Sequence, residues 1–240
     1  CMVKKPYEIY ESGDYLASNP TWDLEDSPWK ASKVLSILKK HNIKPKTICE
    51  IGCGAGGVLG AIQDELTQTK LTGFDIAPDA EKFWKELRDS GIDLNVGDFF
   101  KLSKKSYEAV LLLDVLEHVA NPHQFLMDIK HRAEYLVIHF PLDLSALSVL
   151  REKPLLYVRN KVGHIHYFTK GLAIELLKEC GYEVIDFQYT GATFSAPQRG
   201  IKTKLFSWFR RLIYSINKDM GVRLLGGETL IVLSKTLKTA

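Results

Sequence analysis

The stretch Thr47-Ile48-Cys49-Glu50-Ile51-Gly52-Cys53-Gly54-Ala55-Gly56 decides the fold of this chain. Its first half is a short run rich in β-branched and apolar residues, and its second half places glycine at every other position. A strand that ends in a glycine loop and then enters a helix is typical of the first unit of a doubly wound α/β sheet. The helix is predicted over residues 56–67.

Strands and helices alternate around this loop. We predict helices over residues 29–40, 56–67, 79–89, 121–133 and 172–180, a long helical segment from about residue 201, and strands over 47–51, 70–75, 92–97, 108–113, 135–140, 182–188 and 229–233. The strand cores are continuous apolar runs, as expected for strands that are buried on both faces. The pattern predicts an α/β fold with a doubly wound, mostly parallel sheet, in which the last two strands form an antiparallel C-terminal edge.

The length and composition indicate one main domain. The chain has 240 residues, of which 45% are hydrophobic and 25% are charged. This composition is typical of a soluble globular protein and excludes a disordered or fibrous one. We predict an aromatic, turn-rich N-terminal arm over residues 1–28, which could act as a lid, and a single α/β domain over residues 29–240.

Positive charge is concentrated in one segment. The net charge of +3 does not by itself indicate a nucleic-acid-binding protein, but residues 199–223 contain seven Lys or Arg against one Asp. Apolar residues recur at helical spacing in the same region. We predict a basic amphipathic helical insertion near residues 201–220, which would contact its own domain, a second subunit or an anionic membrane surface.

Targeting and cysteine patterns indicate a cytoplasmic protein. No apolar run approaches the length of about 20 residues that a membrane-spanning helix needs, and the first residues lack the apolar core of a signal peptide. The four cysteines form no CxxC pair and are expected to be reduced thiols.

Acidic residues follow three of the predicted strands. Asp75 ends the second strand, Asp98 follows the third and Asp114 follows the fourth. Because ligands of open α/β sheets bind beyond the carboxyl ends of the strands, these acids should meet the glycine loop at one edge. Asp75 is placed to accept both hydroxyls of a ribose, Asp98 to accept from the exocyclic amine of adenine, and Asp114 to hold an ammonium group. Phe99 or Ile76 would supply an apolar face for the ring.

The glycine loop permits two interpretations. Gly52, Gly54 and Gly57 also satisfy the GxGxxG pattern of a nicotinamide-dependent oxidoreductase. Glu50 counts against this interpretation, because a carboxylate beside the loop would repel a pyrophosphate.

The motifs together resemble a known family. The string from Ile48 to Gly56 resembles motif I of class I S-adenosylmethionine-dependent methyltransferases, and the segments 73–76, 97–99 and 113–119 resemble its next three motifs, in order. The Leu-Glu-His-Val segment at 116–119 and residues 164–169 are similar to small-molecule enzymes of this class, including quinone-pathway O-methyltransferases and polysaccharide-associated enzymes.

The resemblance implies a Rossmann-like methyltransferase fold over residues 29–240, with S-adenosylmethionine as cofactor and a small-molecule or carbohydrate acceptor that is methylated at oxygen. The glycines would line the methionine part, Glu50 would organise the loop and its waters, and Asp114 would lie near the methionine amine or the transferred methyl. The cofactor-binding residues are then Glu50, Gly52, Gly54, Gly56, Asp75, Ile76, Asp98, Phe99 and Asp114.

Two alternatives remain open at the level of sequence. One is a NAD(P)-dependent Rossmann oxidoreductase, and the other is a methyltransferase-like binding protein without turnover. The Asp/Asn-Pro-Pro-Tyr/Phe and Pro-Cys strings of base methyltransferases are absent. Nucleic acid is therefore not the expected partner, although RNA ribose and a protein target stay open as acceptors.

Transfer to a hydroxyl or amine requires a base. The candidates are His118, four residues after Asp114, and His139 at the end of the fifth strand. His164 and His166 would share one side of an extended segment, but no third ligand is evident, so no metal site is predicted.

Aromatic residues of the arm suggest a means of closing the pocket. Tyr15, Trp22 and Trp29 are the candidates for covering the cofactor and excluding water.

Overall fold

The computed structural model describes residue 10 and residues 12–195 and 207–237. The strands are β1 (Thr47–Ile51), β2 (Lys70–Asp75), β3 (Asp93–Val96), β4 (Tyr107–Leu113), β5 (Ala133–Pro141), β6 (Tyr182–Tyr189) and β7 (Thr229–Thr236). The helices are α1 (Asp14–Ser18), α2 (Ser27–Lys40), α3 (Gly57–Glu65), α4 (Lys85–Asp89), α5 (Phe99–Leu102), α6 (Pro122–Ile129), α7 (Ala146–Arg151), α8 (Lys153–Val162), α9 (Lys170–Glu179), α10 (Ala192–Ser195), α11 (Ser207–Ile216) and α12 (Lys218–Leu225).

The strands form a seven-stranded sheet in the order β3-β2-β1-β4-β5-β7-β6. Strands β1 to β5 pair in parallel, whereas β7 is antiparallel to both β5 and β6. The predicted doubly wound, mostly parallel fold with an antiparallel C-terminal region is confirmed. The last strand β7 lies inside the sheet and β6 forms its edge. The strand order reverses between β1 and β4, which is the point where open α/β sheets form a ligand crevice.

Apolar residues on both faces of the central strands explain why this sheet is covered by two helical layers. Leu111 of β4 packs in a cluster with Val34 of α2 and Ile62 of α3, and Leu112 packs in a second cluster with Leu126 of α6. All five of these side chains are fully buried. Burying one such side chain contributes about 1.5–3 kcal/mol, so the two layers hold the strand ends rigidly in place.

The predicted helix at 79–89 is divided in two. Residues Pro78–Phe83 form a 3₁₀ turn and α4 begins at Lys85. Trp84 stands between them, fully buried, and its indole nitrogen donates a hydrogen bond to the Gly54 carbonyl at 2.8 Å. This contact with the glycine loop interrupts the helix.

Helices α7 and α8 have no counterpart in the sequence prediction. The first begins at a capping box in which Ser145 and Ser148 bond each other's backbone amides, and the second ends at Gly163, whose φ is 83°. Their apolar side chains are largely exposed, including Leu150 at 84% and Tyr157 at 60%. Because these helices bury no continuous apolar face, their sequence does not show the apolar periodicity from which the other helices were predicted.

The predicted basic insertion near residues 201–220 is described from residue 207 onward, and its side chains from residue 210 onward, so its first part lies outside the described residues. Here α11 and α12 meet at Asn217, whose side chain caps α12 through the Met220 amide. Tyr214 is buried and donates to the Gly226 carbonyl, whereas Leu212 and Ile216 are exposed. The described part thus packs on its own domain through one face. None of the described helices has both the length and the hydropathy needed to cross a bilayer.

Candidate active site

The glycine loop between β1 and α3 adopts a backbone that favours glycine. Gly52, Gly54 and Gly56 have φ values of 78°, 50° and 77°, in the left-handed region that other residues rarely adopt. At Gly54, an added Cβ would also come within 2.6 Å of the Trp22 indole nitrogen. Both the backbone and the covering side chain therefore require glycine at this position.

Asp75 stands at the end of β2 beside the loop. Its Oδ2 accepts a hydrogen bond from the Gly54 amide at 2.7 Å, and its Oδ1 accepts one from the Ala77 amide at 2.8 Å. Burial raises the pKa of Asp75, while the two amides favour its charged form. Because each carboxylate oxygen has two lone pairs, the side chain remains able to accept ligand hydroxyls.

Glu50 is a buried acid on β1 with an unused oxygen. Its side chain is 2% exposed, and Oε2 has no hydrogen-bond partner among the described residues. Burial raises the pKa of Glu50 to about 8, with a smaller contribution from Asp75, and Lys30 opposes the shift. A ligand amine or an ordered water at the loop would satisfy this oxygen.

The predicted adenine residues differ in their exposure. Asp98 caps α5 by accepting from the Phe100 amide at 2.9 Å. The Phe99 ring is almost fully buried and packs edge-on against Phe74, whereas Ile76 is 42% exposed at the cavity. Ile76 therefore has the accessible apolar surface for a base, and Phe99 supports the wall from within the core.

Asp114 joins two basic side chains at the end of β4. Its Oδ2 lies 2.7 Å from the Lys30 ammonium and its Oδ1 lies 2.6 Å from His139 Nδ1. Although burial opposes it, His139 and Lys30 together hold the pKa of Asp114 well below its usual value. Asp114 also has a φ of 57°, which is uncommon for a residue with a side chain. In this structure the ammonium beside Asp114 is that of Lys30, and the contact of Asp114 with a ligand ammonium stays a prediction.

His139 has both ring nitrogens engaged. Nδ1 faces Asp114, and Nε2 lies 2.8 Å from the Thr229 hydroxyl on β7. Because a carboxylate can only accept, Nδ1 carries the proton and Nε2 accepts from Thr229. The side chain is 3% exposed and its ring meets Trp29 edge-on.

His118 lies on the opposite wall in a compact cluster with Glu117 and His164. The two imidazole rings meet edge-on with centroids 4.9 Å apart. Burial, reinforced by His164, lowers the pKa of His118 to about 4, so this ring is neutral near pH 7. His164 therefore pairs with His118 and not with His166, the partner that the sequence suggested.

The N-terminal arm covers the cavity that these residues line. The cavity has a volume of about 1070 Å³ and extends from the glycine loop to His118 and His164. The rings of Tyr10, Tyr15 and Trp22 follow one another at centroid distances of 5.0 and 5.2 Å. Tyr10 reaches His118 at one end of this row, and Trp22 covers Gly54 at the other.

The wall of this cavity suits a nucleoside that carries a cationic sulfonium amino acid. Three features lie along one edge of the sheet. They are the glycine loop, where an added Cβ would clash, the Asp75 carboxylate at the end of β2, and the buried Glu50 with an oxygen that has no hydrogen-bond partner among the described residues. Carboxylates on the wall favour a cation and disfavour a pyrophosphate.

Comparison with known proteins agrees with this geometry. A profile described as a methyltransferase domain matches residues 28–186. The chain belongs to the methyltransferase domain family. Its α/β domain is a class I methyltransferase domain, and its cofactor is S-adenosylmethionine. The nicotinamide oxidoreductase alternative is therefore set aside.

Two curated relatives of this methyltransferase are partial matches. A tRNA U34 carboxymethyltransferase of Sulfurimonas denitrificans is 26% identical over 131 residues, which cover 51% of this chain and 40% of the relative. A ubiquinone biosynthesis O-methyltransferase of Glaesserella parasuis is 28% identical over 128 residues, which cover 46% and 53%. The chain thus spans about half or less of the length of these relatives.

Solved structures share the fold over most of their length. The plantazolicin methyltransferase BpumL in complex with SAH superposes with a TM-score of 0.63 at 18% identity, covering 97% of this chain and 94% of that one. Magnesium protoporphyrin IX methyltransferase from Synechocystis PCC 6803, with SAH bound, superposes with a TM-score of 0.58 at 15% identity, covering 88% of this chain and 83% of that one. At these identities the likeness establishes the fold alone.

Sequence reasoning did not identify four residues that the structure brings to the site. Tyr10 comes from the N-terminal arm, Lys30 from α2 and Thr229 from the last strand. None of the three belongs to a recognisable motif. Glu117 directly precedes His118, so its position beside a candidate residue was the one available signal.

Proposed function

We propose that this protein transfers the methyl group of S-adenosylmethionine to a hydroxyl oxygen of a small-molecule acceptor. The observation that carries the proposal is the single roofed cavity that joins the glycine loop and Asp75 to a second wall formed by His118 and His164. The first wall would hold the cofactor, and the second would face the acceptor. The ubiquinone biosynthesis O-methyltransferase among the relatives supports oxygen as the methylated atom.

The bound cofactor supplies a methyl carbon that is activated by a sulfonium. The acceptor oxygen forms a bond to that carbon while the carbon–sulfur bond breaks and its electron pair stays on sulfur. The hydroxyl proton leaves on the acceptor side. The chain contributes alignment, because holding two reactants in line can supply about 7–11 kcal/mol of the barrier.

The two predicted bases would have different roles. His139 is enclosed between Asp114 and Thr229, so we assign it to positioning the end of β5 and the Asp114 carboxylate. His118 faces the cavity on the acceptor wall. His118 remains our candidate for the group that promotes removal of the proton from the acceptor hydroxyl.

The arm favours a small acceptor over a polynucleotide. The aromatic row of Tyr10, Tyr15 and Trp22 covers the cavity, and a roofed pocket of this size accommodates a nucleoside cofactor together with a compact second molecule. A relative that acts on tRNA makes RNA the competing acceptor class, and the acceptor panel below includes it.

Thermal unfolding with added ligand tests the cofactor assignment. S-adenosylhomocysteine at about 100 times its dissociation constant should stabilise the fold by about 2.7 kcal/mol and raise the melting temperature by about 5–10 °C for a chain of this length. NAD at the same concentration is the control and should give no shift. A panel of phenols, catechols, sugars and unmodified tRNA with labelled cofactor then identifies the acceptor. A shift with NAD alone, or label only in tRNA, would contradict the proposal.

Removing the Trp22 side chain tests whether the arm is a lid. The indole covers Gly54 and meets Phe83 at a centroid distance of 6.2 Å. We expect Trp22→Ala to weaken S-adenosylhomocysteine binding about tenfold, since an aromatic contact is worth about 0.5–1.5 kcal/mol beyond its burial, while Trp22→Phe retains most of the affinity. Isothermal titration measures this.

Phe187→Ala is the matched control, because this ring lies on the edge strand β6 and is partly exposed. If Trp22→Ala lowers the melting temperature of the ligand-free protein but leaves the affinity unchanged, the arm is a structural staple and not a lid.

A further inference from the structure

Glu117 is a buried acid whose carboxyl group has no hydrogen-bond partner among the residues that the structure describes. Its side chain is 0% exposed, and neither carboxylate oxygen accepts a hydrogen bond from any described residue. The Glu117 backbone carbonyl accepts from the amides of Ile165 at 2.8 Å and His166 at 3.1 Å, which fixes the loop that carries His164 beside it. A carboxyl buried in this way is costly unless a cation or a donor completes it.

Two imidazole nitrogens face that carboxylate. His118 Nε2 lies 3.8 Å from Glu117 Oε1, and His164 Nε2 lies 3.9 Å from the same atom. These separations are too long for hydrogen bonds. One ligand atom from each of the three residues lies within 4.8 Å of the other two, and among the residues that the structure describes this is where three such side chains converge.

The opposite nitrogen of each ring shows which atoms carry protons. His118 Nδ1 lies 3.1 Å from the Gly163 carbonyl, which can only accept, and the nearby Tyr10 hydroxyl already donates to the Val162 carbonyl. His118 Nδ1 is therefore the donor.

His164 is oriented in the same way. Its Nδ1 lies 2.7 Å from a carboxylate oxygen of Asp143, so the proton is again on Nδ1. In the neutral rings both Nε2 atoms then carry lone pairs. Two nitrogen lone pairs and a carboxyl oxygen thus face one another at separations that are too long for a hydrogen bond.

We propose that Glu117 Oε1, His118 Nε2 and His164 Nε2 bind one divalent transition-metal ion. Nitrogen and oxygen donors in this combination suit Zn²⁺ and its first-row neighbours, whereas Mg²⁺ and Ca²⁺ prefer oxygen alone. Two donors bound to one ion at tetrahedral angles lie about 3.4 Å apart. The two Glu117–histidine separations of 3.8 and 3.9 Å would therefore each shorten by about 0.5 Å, and the third pair of ligand atoms already lies within 4.8 Å. The Gly163 carbonyl and the Asp143 carboxylate accept from the two Nδ1 atoms. Hydrogen bonds of this kind orient the rings of metal-binding histidines.

The site would act on the acceptor. His118 and His164 line the cavity, and three protein ligands leave a coordination position open, as in catalytic zinc sites. This role rests on the proposed function. An acceptor hydroxyl bound at the open position has a lowered pKa and releases its proton to water more readily, so His118 would act through the metal and not as a free base.

Metal content and unfolding test the site without relying on turnover. Untagged protein is stripped with a chelator, dialysed against Zn²⁺ or Co²⁺ and measured by elemental analysis. We expect one ion per chain, visible d–d bands with Co²⁺, and a rise in melting temperature of about 5–10 °C at saturating metal. Glu117→Gln and His164→Ala should each lose at least tenfold in metal affinity.

Two further comparisons make the result decisive. His166→Ala removes a neighbouring histidine outside the cluster, and His123→Ala removes an exposed histidine that pairs with Glu179. Both should bind metal as the wild type does. Because Glu117 lacks a partner, Glu117→Gln should melt at the same or a higher temperature than wild type in the absence of metal, whereas a purely structural carboxylate would make it melt lower.

The outcomes separate this inference from the proposed function. Protein that binds S-adenosylhomocysteine and methylates an acceptor, but takes up no Zn²⁺ or Co²⁺, overturns the metal site and leaves the function intact. The same conclusion follows if Glu117→Gln binds metal as tightly as wild type. One ion per chain at this cluster, without any methyl transfer to the acceptor panel, supports the site and contradicts the function.

Discussion

Asp75→Ala should weaken S-adenosylhomocysteine binding by about 10- to 100-fold. A carboxylate that accepts hydrogen bonds from a ligand contributes about 1.5–3 kcal/mol, and each 1.4 kcal/mol is a factor of ten in affinity. The Asp75 carboxylate also orders the glycine loop by accepting from the Gly54 and Ala77 amides, and the substitution removes both hydrogen bonds. Isothermal titration at a temperature where the variant is folded measures the affinity.

The control for this prediction is Asp93→Ala. Asp93 begins β3 at the amino-terminal end of a strand and is exposed, so its removal should leave the affinity within twofold. Equal affinities of Asp75→Ala and wild type would show that this carboxylate does not contact the cofactor, whatever happens to the melting temperature.

Asp114→Ala should cause the largest loss of stability of any single change discussed here. The Lys30 ammonium and the His139 imidazole would both lose their carboxylate partner. Lys30 and Asp114 are only partly buried, at 22% and 26% exposure, so we expect this loss to cost about 2 kcal/mol, as for hydrogen bonds to charged groups. Alanine at a φ of 57° adds about 1–2 kcal/mol of backbone strain. We expect a fall in melting temperature of about 10 °C, measured by calorimetry.

Two variants distinguish the causes. Asp114→Asn tolerates the left-handed backbone and keeps an acceptor oxygen, so it should lose clearly less. Asp186 is flanked by Lys40 and His41 in the same way, but Lys40 is 55% exposed there, and Asp186→Ala should cost about 1 kcal/mol or less. Equal losses at Asp114 and Asp186 would mean that the Asp114 group has no special role in stability.

The strands along the chain and the residues at their ends could be predicted from the sequence because both depend on local patterns. Continuous apolar runs such as that of β4 identify strands that are buried on both faces. Parallel strands then deliver their carboxyl ends to one edge, so Glu50, Asp75 and Asp114 could be placed together before any coordinates were known.

The parts that could not be predicted depend on contacts between distant segments. Thr229 reaches His139 across a separation of 90 residues, and Lys30 reaches Asp114 from α2. Likewise, His164 meets Glu117 only because the loop after α8 folds back onto the end of β4. A local sequence pattern cannot predict such contacts, because the residues that form them are far apart in the chain.

The environment of a side chain was also invisible to sequence reasoning. Phe99 and Ile76 were equivalent candidates for an apolar face, yet one is buried in the core and the other is exposed at the cavity. Likewise, α7 and α8 leave apolar residues exposed, so the usual link between periodicity and burial fails there.

The insertion of β7 between β5 and β6 has a consequence for biosynthesis. A polypeptide emerging from the ribosome exposes two unpaired strand edges until the residues of β7 arrive, since Tyr135 pairs with Lys235 and Glu183 also pairs with Lys235. Proteins are made vectorially and open edges invite aggregation. The nascent chain therefore completes its sheet, and with it the Thr229 contact to His139, only once the residues of β7 have been made. Protection by chaperones matters most before that point.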